Sequence, residues 1–409
     1  MTVKIDDPIM LPCGSSLKNR IGKAPMTEGL ADGMNRATDR HVTLYRRWAA
    51  GGVGLSITGN VQVDRRYLER PGNVVIDQNG GFDELRAFAA AGTENNCNLM
   101  MQIGHPGRQT PRRVNPEPVA PSAVALALPE AAFGPPRALE GWEVADVIKR
   151  FAHVAEVARD TGFSSVQIHG AHGYLISEFL SPLANQRKDE WGGPLENRAR
   201  LLLETVRAIR TKVGDDFPIS VKLNSSDFQN GGFSHEECLQ VVAWLEDASV
   251  DLLEISGGNY EQPSMMGAKT GTGEAVREST VKREAYFMDY AASIRQATKI
   301  PLMVSGGFRS RSVMDAALAE GNTDIVGIGR PFCVEPDLAN KLMANAEAVA
   351  SAHENTISPS KAGLGWFCLQ IIRLADGVDA AAQMTGADAI ALYLENEEAT
   401  AAALVGREV

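Results

Sequence analysis

Eight short runs rich in branched apolar residues recur along this chain, each followed by a longer stretch with helical spacing. The runs are Arg20 to Ala24, Val53 to Thr58, Leu99 to Ile103, Ser165 to His169, Ile219 to Leu223, Leu252 to Ser256, Leu302 to Ser305 and Ile325 to Gly329. Between them, Asp39 to Ala50, Glu143 to Asp160, Leu195 to Val213 and Tyr286 to Thr298 carry apolar residues three and four apart, the period of an amphipathic helix. Strands that are apolar throughout are buried on both faces, and a helix between each pair forces parallel pairing. Eight such units close most economically into an α/β fold, a (β/α)8 TIM barrel. An open doubly wound sheet is the alternative. Its dinucleotide fingerprint fails here, because in Gly271-Thr-Gly273-Glu-Ala-Val276 a valine stands where a third Gly or Ala should, with no clear strand before it.

The chain has 409 residues, enough for one barrel with insertions and a remainder. Residues 1–345 are expected to be the barrel and 346–409 a helical extension, Ala-rich and amphipathic over Gly363 to Ala375. The extension is expected to dock on the barrel or at a contact between copies, which leaves a homo-oligomer open. With 40 Lys+Arg against 51 Asp+Glu the net charge is −11, and the basic residues are scattered. No clustered basic face is available to displace phosphate counterions, so nucleic acid is not an expected partner. The start, MTVKIDDPIMLPCG, lacks the basic-then-apolar pattern of a secretory signal, and no apolar run approaches about 18 residues. A cytoplasmic protein without a membrane span is expected. Cys13, Cys97, Cys238, Cys333 and Cys368 are odd in number and lack Cys-x-x-Cys spacing, so no metal or iron–sulfur site is expected.

Two long excursions interrupt the alternation. Seven prolines between Pro111 and Gly141 forbid a continuous helix after the third run, and a Gly-rich connection, Gly257 to Arg283, follows the sixth. Both leave the carboxyl ends of strands, where barrel active sites form. The residues just past the strands then read as one set: Pro25, Met26 and Thr27; Gly59 and Asn60; Gln102, His105 and Arg108; His169, His172 and Tyr174; Lys222; Ser305, Gly306 and Gly307; Gly329 and Arg330.

Gly-rich ends of the seventh and eighth strands expose backbone N–H groups suited to a phosphate, and Arg330 adds a bidentate cation. The blander reading is that these glycines only permit tight turns. His169-x-x-His172-x-Tyr174 could be local backbone satisfaction, or a pair of donors for a carbonyl or nitro oxygen with a phenol beside them as acid. A metal reading lacks a third ligand. Lys222 fits either a Schiff-base nucleophile or a fixed cation beside a cofactor that becomes anionic.

Several runs together resemble the old yellow enzyme family of FMN-dependent NAD(P)H oxidoreductases. They are Asn19-Arg-Ile-Gly-Lys-Ala-Pro-Met-Thr-Glu-Gly29, Met101-Gln-Ile-Gly-His-Pro-Gly-Arg108, His169-Gly-Ala-His-Gly-Tyr-Leu-Ile-Ser-Glu-Phe-Leu-Ser-Pro182, Trp191-Gly-Gly-Pro-Leu-Glu-Asn-Arg198, Ser305-Gly-Gly307 and Gly329-Arg-Pro331. The resemblance implies that Pro25, Met26 and Thr27 contact the flavin, that Gly59 and Gln102 bond its pyrimidine end, and that Lys222 sits by N1 and the C2 oxygen. It further implies that Ser305, Gly306, Gly307, Gly329 and Arg330 form the phosphate end of the cofactor site. His169 and His172 would bind the substrate oxygen, and Tyr174 would protonate the α-carbon after hydride reaches the β-carbon. Many relatives carry Asn for His172, Cys for Thr27 or Arg for Lys222, so potential and substrate preference are open. The clustered-cysteine branch of the family is excluded.

The expected activity is therefore reduction of activated alkenes, small molecules bearing a carbonyl or nitro group, with NADH or NADPH as reductant. Alternatives are an FMN enzyme running desaturation or amine oxidation, a flavin-binding protein without turnover, and a Schiff-base aldolase. Arg108, Arg112, Arg113, Arg277, Lys282 and Arg283 are the candidates for a 2′-phosphate contact.

Overall fold

The computed structural model describes residues 2–128, 131–261 and 290–404. Eight parallel strands form the barrel: β1 (Ile21–Lys23), β2 (Leu55–Ile57), β3 (Asn98–Gly104), β4 (Ser165–Gly170), β5 (Ile219–Asn224), β6 (Leu252–Ser256), β7 (Leu302–Ser305) and β8 (Ile325–Ile328). Each pairs with its neighbour, β8 returns to β1 through Ile328 and Lys23, and β2 to β3 through Ser56 and Leu99, so the ring closes. All eight runs read from the sequence become barrel strands.

Outside the strands lie α1 (Asp39–Ala50), α2 (Phe82–Gly92), α3 (Gly141–Asp160), α4 (Arg200–Val213), α5 (His235–Asp247), α6 (290–297), α7 (Arg311–Glu320) and α8 (Leu338–Ala344). The expected helix Leu195 to Val213 arrives as a short helix, Leu195–Arg198, and α4, joined through Ala199. Ala199 keeps helical dihedrals (φ −80, ψ −13), so the segment remains one apolar face in two pieces. Most of the Gly257 to Arg283 connection, its fingerprint-like Gly271 to Val276, and the start of Tyr286 to Thr298 lie outside the described residues.

Inward and outward side chains alternate along each strand. At the amino end of the barrel the inward set is apolar: Leu55, Met100, Leu252, Met303 and Ile325 pack together with Ile9 and Leu17. Those last two come from a small antiparallel hairpin, Ile9–Met10 with Ser16–Leu17, which plugs this end. Gly14, with φ 89, makes its turn. Among the described residues this hairpin closes the amino end of the barrel.

After the barrel come α9 (Gly363–Ala375) and α10 (Gly386–Ala402). Helix α9 lies against α1, and α10 lies on α9. Gly365 permits this approach, because a Cβ there would stand 2.9 Å from that of Tyr393. Among the described residues no helix is long and apolar enough to cross a membrane, and no cluster of metal-ligating side chains occurs.

Candidate active site

Moving up the barrel axis, the inward residues change from apolar to polar. Gln102, Gln167, Ser220 and Leu252 are paired in one row across β3 to β6, and His169, Lys222 and Glu254 in the next. The side chains of Gln102, Gln167, Lys222 and Glu254, with Ser305 of β7, form one connected network. Gln102 Nε2 donates to Gln167 Oε1 at 2.7 Å, and Gln167 Nε2 to Glu254 Oε2 at 3.0 Å. Glu254 Oε1 accepts from Lys222 Nζ at 2.9 Å and from Ser305 Oγ at 2.7 Å. Glu254 is fully buried.

The turn after β4 carries the aromatic cluster. Its rings meet edge to face: His169 lies 5.0 Å from His172 and 4.7 Å from Tyr174, centroid to centroid. His172 is held in the left-handed region, φ 64, where a β-carbon is costly. Asn224 Oδ1 accepts its N–H at 3.2 Å and Gln109 Nε2 donates to its carbonyl at 3.0 Å, so the surroundings dictate the conformation. Gly173 follows at φ 76, where a side chain would meet the Cβ of Asn259 at 2.9 Å. The Gly of His-Gly-Tyr is thus a steric requirement.

Burial pushes both histidines down, His169 well below its ordinary value and His172 to about 3; the Lys222 cation nearby adds to each shift. Both rings are neutral at working pH. The Ala171 N–H donates to His169 Nδ1 at 3.3 Å, which leaves the ring proton of His169 on Nε2 as a donor. His172 Nε2 lies 2.5 Å from Ser256 Oγ. Burial likewise raises the Tyr174 phenol well above its ordinary value, reinforced by Tyr260, whose hydroxyl lies 2.8 Å away. Tyr174 stays protonated.

The other expected contacts lie at the carboxyl ends of β1, β2, β7 and β8. Met26 at the end of β1 faces Gly329 at the end of β8: a Cβ on Gly329 would lie 3.8 Å from Met26 Sδ. Thr27 Oγ1 donates to Glu69 at 2.8 Å. The Gly59 N–H is already engaged by Glu28 Oε1 at 2.8 Å, and the Gly306 N–H by the Gly327 carbonyl at 3.2 Å. Ser305 turns inward to Glu254 and not toward the outer rim, because Gly327 leaves room there: a Cβ at Gly327 would fall 2.1 Å from Ser305 Oγ. Gly306 and Gly307 have φ 119 and 79, a conformation reserved for glycine, and a Cβ at Gly306 would meet nothing within 4 Å. Arg330 stacks on Phe367 of α9, 5.9 Å from its ring centroid. Of the 2′-phosphate candidates, Arg108 is buried against Glu261 at 3.0 Å and Arg113 pairs with Glu397, while Arg277, Lys282 and Arg283 lie outside the described residues.

Four neighbours were not among the residues singled out from the sequence: Glu254, Ser256, Tyr260 and Glu69. Glu254 carried a signal, a charge flanked by Leu253 and Ile255 in the centre of the strand Leu-Leu-Glu-Ile-Ser. Tyr260 carried none, since it meets Tyr174 across 86 residues of chain.

A sealed parallel barrel with a cation, amides, neutral imidazoles and a phenol at its open rim defines a barrel oxidoreductase of the old yellow enzyme type, with FMN as cofactor and NADH or NADPH as reductant. The chain belongs to the NADH:flavin oxidoreductase / NADH oxidase family, whose model matches residues 4–348. It is 36% identical over 387 residues to "NADH-dependent flavin oxidoreductase iliE" of Hypocrea jecorina, covering 89% of this chain and 94% of that one. A similarly named Neonectria protein is also 36% identical, but the match spans only 45% of its length. Among solved structures, the old yellow enzyme homologue from Zymomonas mobilis superposes with TM-score 0.71 at 26% identity, covering 85% of this chain and 95% of that one. A 2-naphthoyl-CoA reductase complex gives TM-score 0.80 at 26% identity, covering 91% of this chain and 57% of that one.

The rim fits FMN. Open space lies over the left-handed Gly306, and Asn60 Oδ1 is buried at the end of β2 without a hydrogen-bond partner. Gly306 and Gly59 already use their N–H groups within the chain, and Arg330 lies 3.6 Å from the Glu354 carboxylate.

Proposed function

We propose that this protein reduces the C=C bond of alkenes activated by a carbonyl or nitro group. The observation that carries the reading is the convergence of His169, His172 and Tyr174, all neutral, on one patch of the rim beside Lys222. Pro25, Met26, Thr27, Gln102, Lys222, Gly307, Gly329 and Arg330 would hold FMN, with Gly59, Ser305 and Gly306 shaping the turns around it. FMN, when bound, supplies the hydride that NADH or NADPH has delivered.

His169 donates Nε2–H to the activating oxygen of the substrate, and a neutral donor in a buried site stabilises the negative charge that develops there. His172 is the second donor when the Ser256 hydroxyl donates a hydrogen bond to Nε2, which places the ring proton of neutral His172 on Nδ1. Tyr174 then delivers a proton to the carbon next to the activating group. Tyr260 Oη stands 2.8 Å behind it, where its hydroxyl would hydrogen-bond the phenolate until that takes up a proton from solvent. Hydride and proton together saturate the double bond.

Tyr174→Phe tests this. In rapid mixing, reoxidation of the reduced enzyme by an enone falls about 10²- to 10⁴-fold, as loss of a general acid does, while reduction by NADH is unchanged. Equal loss in both half-reactions would remove the acid role.

A further inference from the structure

We propose that Glu254 is the positioning residue of Lys222 and that, by offsetting the Lys222 charge, it sets the reduction potential of the bound flavin. The inference rests on the reading that Lys222 faces the pyrimidine end of the cofactor.

The geometry of the carboxylate carries it. Oε1 receives Lys222 Nζ at 2.9 Å and Ser305 Oγ at 2.7 Å; Oε2 receives Gln167 Nε2 at 3.0 Å, and Gln167 in turn holds Gln102. Three donors from β4, β5 and β7 fix one group on β6, so the ammonium has a single place to stand. Lys222 is itself buried, with 6% of its surface exposed, and Glu254 is its only carboxylate within ion-pair reach among the described residues. Two residues earlier on the same inward face, Leu252 packs in the apolar plug. An apolar side chain at 254 would extend that plug, and a buried ion pair is often no more stabilising than such a replacement. The pair therefore calls for a use beyond stability.

That use follows from charge. Reduction places negative charge at the pyrimidine end of a flavin, and a nearby lysine favours it. A carboxylate 2.9 Å from that lysine weakens the effect, since the pair presents less net positive charge than the ammonium alone. Glu254 accordingly holds the potential below the value that Lys222 alone would give, and keeps reduced cofactor a strong hydride donor.

The test compares FMN-loaded wild type, Glu254→Gln and Lys222→Met, reading the midpoint potential by equilibration with a reference dye during slow reduction, and the affinity for oxidised FMN separately. Glu254→Gln is expected to bind reduced over oxidised FMN about tenfold better than wild type does, a rise of about 30 mV for a two-electron couple. Lys222→Met is expected to move the potential down. Should Glu254→Gln not fold, Glu254→Asp keeps the charge but withdraws it, and shifts the potential the same way by less. A lowered potential in Lys222→Met with no change in the Glu254 variants overturns the inference and leaves the placement of Lys222 standing. No change in Lys222→Met overturns that placement, and the inference with it.

Discussion

At the scale of single residues, the active groups owe their protonation states to burial. His172, pushed down to about 3, and His169, also far below its ordinary value, gain no proton between pH 5 and 8, and the raised phenol of Tyr174 loses none. A histidine of ordinary pKa near 6.5 would become cationic across that range. The rate at which a neutral enone reoxidises the reduced enzyme is therefore expected to be flat from pH 5 to 8; an inflection near 6.5 in stopped-flow traces would show that one imidazole titrates. His169, His172 and Tyr174 were legible because they sit within six residues of one another on one turn. Their supports were not: Ser256 reaches His172 across 84 residues and Glu254 reaches Lys222 across 32, and such separations are invisible without the barrel register.

At the scale of elements, α10 does more than cover a surface. Its Glu397 is fully buried, accepting from Arg70 Nε at 3.0 Å and pairing with Arg113. Arg70 also donates to the Thr27 carbonyl at 3.4 Å, so the last helix braces the end of β1 through one guanidinium. Removing one partner of a buried pair leaves an uncompensated charge, which costs about 3–5 kcal/mol. Glu397→Ala is expected to lower the urea midpoint by that amount of stability, with Thr27 contacts loosened; a loss under about 1 kcal/mol would mean that Arg70 finds another partner. A helical extension was readable from its Ala-rich, amphipathic pattern. Glu397 was not, because among Glu395, Glu397 and Glu398 it looks like one more solvated charge.

At the scale of the whole molecule, the barrel was the most legible feature, because strands buried on both faces leave apolar runs that no surface element needs. The plug was hidden for the opposite reason: two-residue strands around Pro12-Cys-Gly14 are too short to show alternation. The polar gradient along the axis was half visible, in Lys222 and Gln102, and its meaning emerges only when rows from five strands coincide. That coincidence is the central claim, that one rim carries cofactor, donors and acid together. The most direct check is a crystal structure of the FMN-loaded protein with a small cyclic enone bound. The expected result places the carbonyl oxygen about 3 Å from a ring nitrogen of both His169 and His172, with Tyr174 Oη over the α-carbon. An enone oxygen bound away from both imidazoles would contradict it.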